Sequence, residues 1–154
     1  SNPRPATPPA VGGNVRVGSF NVLNYFTTLD AAGSAGCFPG GTRSDCRGAD
    51  SAQELQRQAS KIIPAILGLN ADVVGLMEIE NNGQTAVQDL VNGLNAAMGA
   101  GTYAIVPDPA TGTGTDGKTA AVVTADNSAR YSASPLICRQ AMRVAASMLI
   151  SISR

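Results

Sequence analysis

ADVVGLMEI, residues 71–79, is almost continuously apolar and carries several β-branched side chains. Such a run, too apolar to alternate, is the pattern of a strand buried on both faces, as in a parallel sheet. Upstream of it, residues 51–54 read SAQE, a capping box in which the Ser51 hydroxyl and the Glu54 carboxylate reciprocally satisfy the first N–H groups of a helix. From there Leu55, Ala59, Ile62, Ile63, Ile66 and Leu67 fall on one face, opposite Gln56, Arg57, Ser60 and Lys61. Pro64 lies in this pattern and removes the bond to the Ser60 carbonyl, so a kink or an early helix end near Ile63 is expected, with Gly68 and Asn70 as the stop. Further upstream, VRVGSFNV (residues 15–22) alternates and reads as a strand. Strand, helix and strand in this order make a βαβ unit with parallel strands and a right-handed crossover. The fold class expected is therefore α/β.

Downstream, the Asn-Asn-Gly turn at 81–83 leads into a second amphipathic helix carrying Val87, Leu90, Val91, Leu94 and Met98, closed by Gly99 to Gly101. A short strand follows at Tyr103–Val106, and TAAVVT, residues 119–124, reads as one more. The chain's 154 residues fit one ordinary domain, and 44% apolar with 14% charged residues describes a folding rather than a disordered sequence. Basic and acidic residues balance at 11 each, so no global field draws the chain to nucleic acid, and any phosphate binding must be local. No apolar run approaches the length of a membrane span. The histidine count is zero, which excludes a Ser-His-Asp triad, a Cys-His dyad, His-ligated zinc and a histidine general base.

At the other end of the composition, residues 1–13 carry prolines at 3, 5, 8 and 9 and then paired glycines, which reads as a linker joining the domain to something upstream. The segment from Leu29 to Asp50 exceeds an ordinary connection and contains Cys37 and Cys46. The three cysteines match no zinc pattern, and a Cys37–Cys46 disulfide, with Cys138 left over, is the better reading. It implies an oxidising compartment. Residues 117–154 are weakly patterned, and a poorly ordered tail is expected there.

In open parallel sheets, ligands bind beyond the carboxyl ends of the strands. Two polar residues fall there: Asn21 near the end of the first strand and Glu78 near the end of the buried one, after VVGLM. On neighbouring strands both would face one crevice, an incomplete oxygen-only site suited to Mg²⁺, which keeps its other positions for water and substrate phosphate. Each has a plainer reading. An Asn at a strand end commonly bonds its own backbone. A carboxylate entering a buried strand costs several kcal/mol (order of magnitude) unless paired or bound to metal, which makes a purely structural Glu78 an even alternative. Glu80, two positions on and deeper in the loop, reads as solvated or as a support to its neighbour.

VRVGSFNVLNYF, then CFPGGTRSDCRGADSAQELQRQASKI, then LNADVVGLMEIENNG together resemble the secreted bacterial nucleases of the endonuclease/exonuclease/phosphatase superfamily, whose fold is DNase I-like. The resemblance covers residues 14–116. It implies an αββα sandwich, present here in part, and a divalent-metal-dependent phosphodiesterase using Mg²⁺ (or Ca²⁺ or Mn²⁺) on nucleic acid, DNA in preference to RNA, outside the bacterial cell. It also implies that Asn21 helps hold the scissile phosphate and that Glu78 ligates the metal. This chain departs from the family by containing no His, where the family's second half supplies one together with further Asp and Asn residues. A fragment that is inactive alone is the expectation, through truncation or a change of reading frame.

Two rivals exist. Residues 112–119, GTGTDGKT, satisfy both GxxxxGK[ST] and, at 112, 114 and 117, GxGxxG. Those motifs need a strand before them and a helix after, whereas Pro107 and Pro109 precede this stretch and a strand pattern follows it. A non-enzymatic nucleic-acid binding module is the other, disfavoured by zero net charge and by three Phe, three Tyr and no Trp. Arg43, Arg47, Arg57 and Lys61 are its candidate phosphate-facing patch, against the plainer reading that they are solubilising surface cations.

Overall fold

β1 (Val17–Tyr25) and β2 (Val73–Glu80) lie side by side and parallel, from Val17 opposite Val73 to Asn21 opposite Met77. This is what a strand–helix–strand unit requires, since parallel neighbours need a crossover, here α1 (Ala52–Leu69). The computed structural model describes residues 9–10, 12–13, 15–107 and 118–125. Within them α2 (Thr85–Met98), β3 (Tyr103–Val106) and β4 (Lys118–Ala125) complete the order of elements. β4 inserts antiparallel between β2 and β3, giving a four-stranded mixed sheet in the order β1-β2-β4-β3. The architecture is thus mixed α/β. Most of the 1–13 segment, the 112–117 glycine run and the tail from 126 lie outside the described residues, and the linker expectation with them. The poor order expected over 117–154 is corrected for 118–125, which pair with both β2 and β3 as β4, and from 126 on it lies outside the described residues.

Ser51 caps α1, its Oγ accepting from the Glu54 N–H at 3.3 Å. The reciprocal half of the expected capping box differs, since the Glu54 carboxylate accepts from the Asp50 N–H, one residue before the cap, at 2.9 Å. The early end expected at Ile63 is corrected, because α1 continues through Pro64 to Leu69. Pro64 and Ser60 are both exposed, so water can satisfy the carbonyl that the proline leaves without a donor. Buried Ile62 and Ile66 hold the helix to the sheet on either side of the proline. Asn70, in the left-handed conformation, ends α1 by returning its N–H to Leu67.

The core lies between the helices and one face of the sheet. Val22 and Tyr25 of β1, Val74, Leu76 and Ile79 of β2, and Val123 of β4 pack with Ile62 and Ile66 of α1 and with Val87, Leu90, Val91 and Leu94 of α2. Each fully buried large aliphatic contributes about 1.5–3 kcal/mol. Met98, grouped with the apolar stripe of α2 on sequence, is instead 57% exposed at the helix end. Gly93 permits the two helices to approach, since a Cβ there would collide with Ile63 Cδ1. Asp72 ties the start of the sheet together. Its carboxylate accepts from the Arg16 N–H at 2.8 Å and its carbonyl accepts from the Ala125 N–H at 2.9 Å.

The long loop is a separate small unit. Cys37 and Cys46 form a disulfide, and Phe26 buries against it. Within it, the Asp45 carboxylate accepts from the Thr42 hydroxyl and the Thr42 N–H, and those bonds hold it below the ordinary aspartate range. Arg43 pairs with Asp30 across the loop.

Candidate functional site

The carboxyl ends of β1 and β2 are where the regular ladder breaks. After Asn21 opposite Met77, the next pair is Tyr25 opposite Ile79, so β1 uses three residues where β2 uses one. Leu23, Asn24 and Glu78 take positive φ values of 58°, 52° and 63°. Outside glycine such conformations cost about 1–2 kcal/mol each, with Asn the most tolerant. Asn24 and Glu78 each directly precede the Tyr25–Ile79 pair, so the bulge brings these two strained residues to the same level of the sheet. Gln58 of α1 supports the distortion by donating from Nε2 to the Val22 and Leu23 carbonyls at 3.0 and 2.8 Å.

Asn21 is exposed, and its Oδ1 accepts from the Leu23 N–H at 2.8 Å. The plain turn reading of this residue is thus realised by its oxygen, while its Nδ2 remains a donor of the kind a phosphate oxygen takes. Glu78 is half-buried. Parallel adjacency of the two strands brings Asn21 and Glu78 to one end of the sheet, although the groove that Asn21 lines is not lined by Glu78.

Glu80 is not solvated, which corrects that half of its reading and leaves the other, a support to its neighbours. It is 2% exposed. Its Oε2 accepts from the Thr27 N–H at 2.7 Å, the Thr27 hydroxyl at 3.0 Å, the Thr28 N–H at 3.0 Å and Asn82 Nδ2 at 2.7 Å. Asn82 in turn accepts from the Ala86 N–H at 3.1 Å, satisfying an orphan donor of the first turn of α2. One carboxylate therefore fixes the chain leaving β1, the end of β2 and the start of α2. The left-handed turn at Glu78 is why strand alternation fails here: Ile79 and Glu80 are both buried, at 1% and 2% exposure.

Tyr25 is the other polar group at this end. Its hydroxyl donates to Asp89 of α2 at 2.5 Å. Burial first, and the Asp89 carboxylate second, push its pKa up from 10.0, so it stays a protonated donor and cannot serve as a base near neutrality.

Sequence reasoning missed Asn24. Its Oδ1 is buried and has no hydrogen-bond partner among the described residues. Its nearest local signal was that Asn tolerates a left-handed backbone, which does not announce an unpaired oxygen. The donor chemistry at this end, the Glu78 carboxylate with an unpartnered amide oxygen, fits a hard divalent cation that keeps most of its waters. It does not make a closed cage, since no group of three or more His, Cys, Asp or Glu gathers among the described residues. At the 112–119 stretch, β4 begins at Lys118, where a phosphate-cradling motif needs a helix to begin. Comparison of the chain with protein-family models, with curated proteins and with solved structures returned no match.

Proposed function

We propose that the chain is the N-terminal part of a secreted, metal-dependent nuclease domain of DNase I-like fold, to which it contributes Asn21 and Glu78. The observation that carries this reading is the interrupted parallel pair β1–β2, which brings an amide donor, a half-buried carboxylate and the unpartnered Asn24 oxygen to the carboxyl end of the sheet. Strain held at such a point is commonly functional, and Gln58 and Glu80 keep the distortion in place. The Cys37–Cys46 disulfide favours an oxidising compartment, and no helix among the described residues is long and apolar enough to cross a membrane. The nucleotide-binding alternative is disfavoured by β4 starting at Lys118.

In this reading Asn21 Nδ2 donates to a non-bridging phosphate oxygen, and the Glu78 carboxylate and Asn24 Oδ1 would hold Mg²⁺ or a similar cation. When bound, such an ion supplies a Lewis acid for the phosphoryl oxygen and a water of lowered pKa. Glu80 and Tyr25 are given no part in the chemistry: Glu80 Oε2 is held by the Thr27 and Thr28 N–H groups and Tyr25 remains protonated. General-base help is worth roughly a hundred- to ten-thousand-fold, and with no His in the sequence a histidine base is not at hand.

Plasmid cleavage with Mg²⁺ is therefore expected to stay at background for this chain. Divalent-cation binding is expected to be weak and to fall by more than about tenfold in Glu78→Ala, the scale on which a single liganding or supporting group acts. Isothermal titration alongside the cleavage assay checks both. Robust cleavage abolished by Glu78→Ala would show that a base exists elsewhere in the chain, and metal binding indifferent to Glu78→Ala would remove the site.

A further inference from the structure

Beside the bulge, between the outer edge of β1 and the exposed flank of α1, runs an open groove of about 500 Å³. Its floor is apolar, from Phe20, Val22 and Ile62, and Asn21 lies on its wall. Three cations surround it: Arg57 and Lys61 of α1, and Arg47 from the end of the disulfide loop. All three are exposed. None makes an ion pair among the described residues, where the pair formed is Arg43–Asp30. The lone carboxylate of the groove, Glu54, is turned to the Asp50 N–H at the start of α1. The sequence balances its charge overall, yet the fold gathers three cations along one channel, of which Arg47 also feels the Asp45 carboxylate in its own loop.

We propose that this groove binds the phosphodiester backbone of one nucleic-acid strand and leads it to Asn21. Arg57 and Lys61 are four residues apart on a helix, hence about one turn, roughly 5–6 Å, along the axis. They form a row of cations rather than a point, which suits a chain of phosphates better than a single anion. Arg47, from the end of the disulfide loop, lines the same groove and adds a third cation. The volume is that of a small-ligand cleft, about 300–1,000 Å³, so one strand enters it and a duplex does not. Leu23, 72% exposed at the lip, offers an apolar surface to a sugar or base. Arg43, grouped with these cations on sequence alone, is excluded by its pairing with Asp30.

The choice of nucleic acid as ligand rests on the nuclease reading, but the groove is tested without metal. A fluorescent single-stranded 12-mer oligonucleotide is titrated with the full chain in EDTA across a salt series. Loss of Arg47, Arg57 and Lys61 together (R47Q, R57Q, K61Q) is expected to weaken binding by more than about tenfold at low salt. It should also flatten the dependence of log affinity on log salt by about 2, at roughly 0.7 per phosphate contact for a single strand. The charge-keeping pair Arg47→Lys and Arg57→Lys is expected to keep the slope, which separates lost charge from lost fold. Unchanged affinity and slope in the triple variant would overturn the proposal, as would stronger retention on phosphatidylserine vesicles than on the oligonucleotide. A triple variant without effect beside a Glu78→Ala that still loses divalent binding sinks the groove alone, and the reverse pattern sinks the metal site alone.

Discussion

Glu80→Ala is expected to destabilise the protein by about 3–5 kcal/mol, measured as the shift in urea-unfolding free energy. The side chain is fully buried, and removing it leaves the half-buried Thr27 and Thr28 N–H groups without their acceptor. Each such orphan costs about 1–3 kcal/mol. The Thr27 hydroxyl and Asn82 suffer less, because Asn82 Nδ2 already donates to Thr27 Oγ1 at 2.9 Å. Glu80→Gln keeps an acceptor oxygen while losing the charge, so it should fall between the parent and the alanine variant. Small domains have only about 5–15 kcal/mol in total, so the alanine variant would be marginal at room temperature. A shift below about 1 kcal/mol would mean that the donors find other partners and that Glu80 does not hold the strand ends.

Removing the disulfide has the second largest expected effect. Cys37 and Cys46 close a loop with a sequence separation of 9, and the chain-entropy relation for a loop of that size gives about 2.5–3 kcal/mol. The linked sulfurs also form, with Phe26, the small apolar cluster of the loop, so the double change Cys37→Ala and Cys46→Ala loses packing as well. The loop carries Arg47 and begins just beyond the residues that bond Glu80, so its loosening should reach both the groove and the strand ends. Equal unfolding midpoints for the double variant and the parent would contradict this. Peptide mapping without reductant checks the pairing itself, and a Cys138-containing peptide as the main species would refute it.

Elements were legible where local chemistry is sufficient. The Ser51 cap, the apolar run at 73–76, the α2 stripe up to Leu94 and the strand pattern at 119–124 each depend on near neighbours in sequence, and each lies where its pattern puts it. The continuation of α1 past Pro64 was not legible, because it depends on which side of the helix faces water. Neither was the antiparallel placement of β4 between β2 and β3, since strand order is not written in any strand. At the strand ends the limits are sharper. Nothing local in Leu23 or Glu78 signals a left-handed backbone, and the fate of Glu80 is decided by Thr27 and Thr28, more than 50 positions away. The groove has the same origin, since Arg47 joins Arg57 and Lys61 only through the packing of the disulfide loop.

The cation site proposed at the carboxyl ends of β1 and β2 is located by adding Mn²⁺ in small steps to isotope-labelled protein and following the amide resonances. Paramagnetic broadening falls steeply with distance and therefore locates the ion without any activity. The account predicts that residues 21–24 and 77–79 broaden first, and that Glu78→Ala abolishes this while the rest of the spectrum is unchanged. Early broadening centred instead on Asp30 and Asp45 in the disulfide loop, or uniform broadening that Glu78→Ala leaves intact, would contradict it.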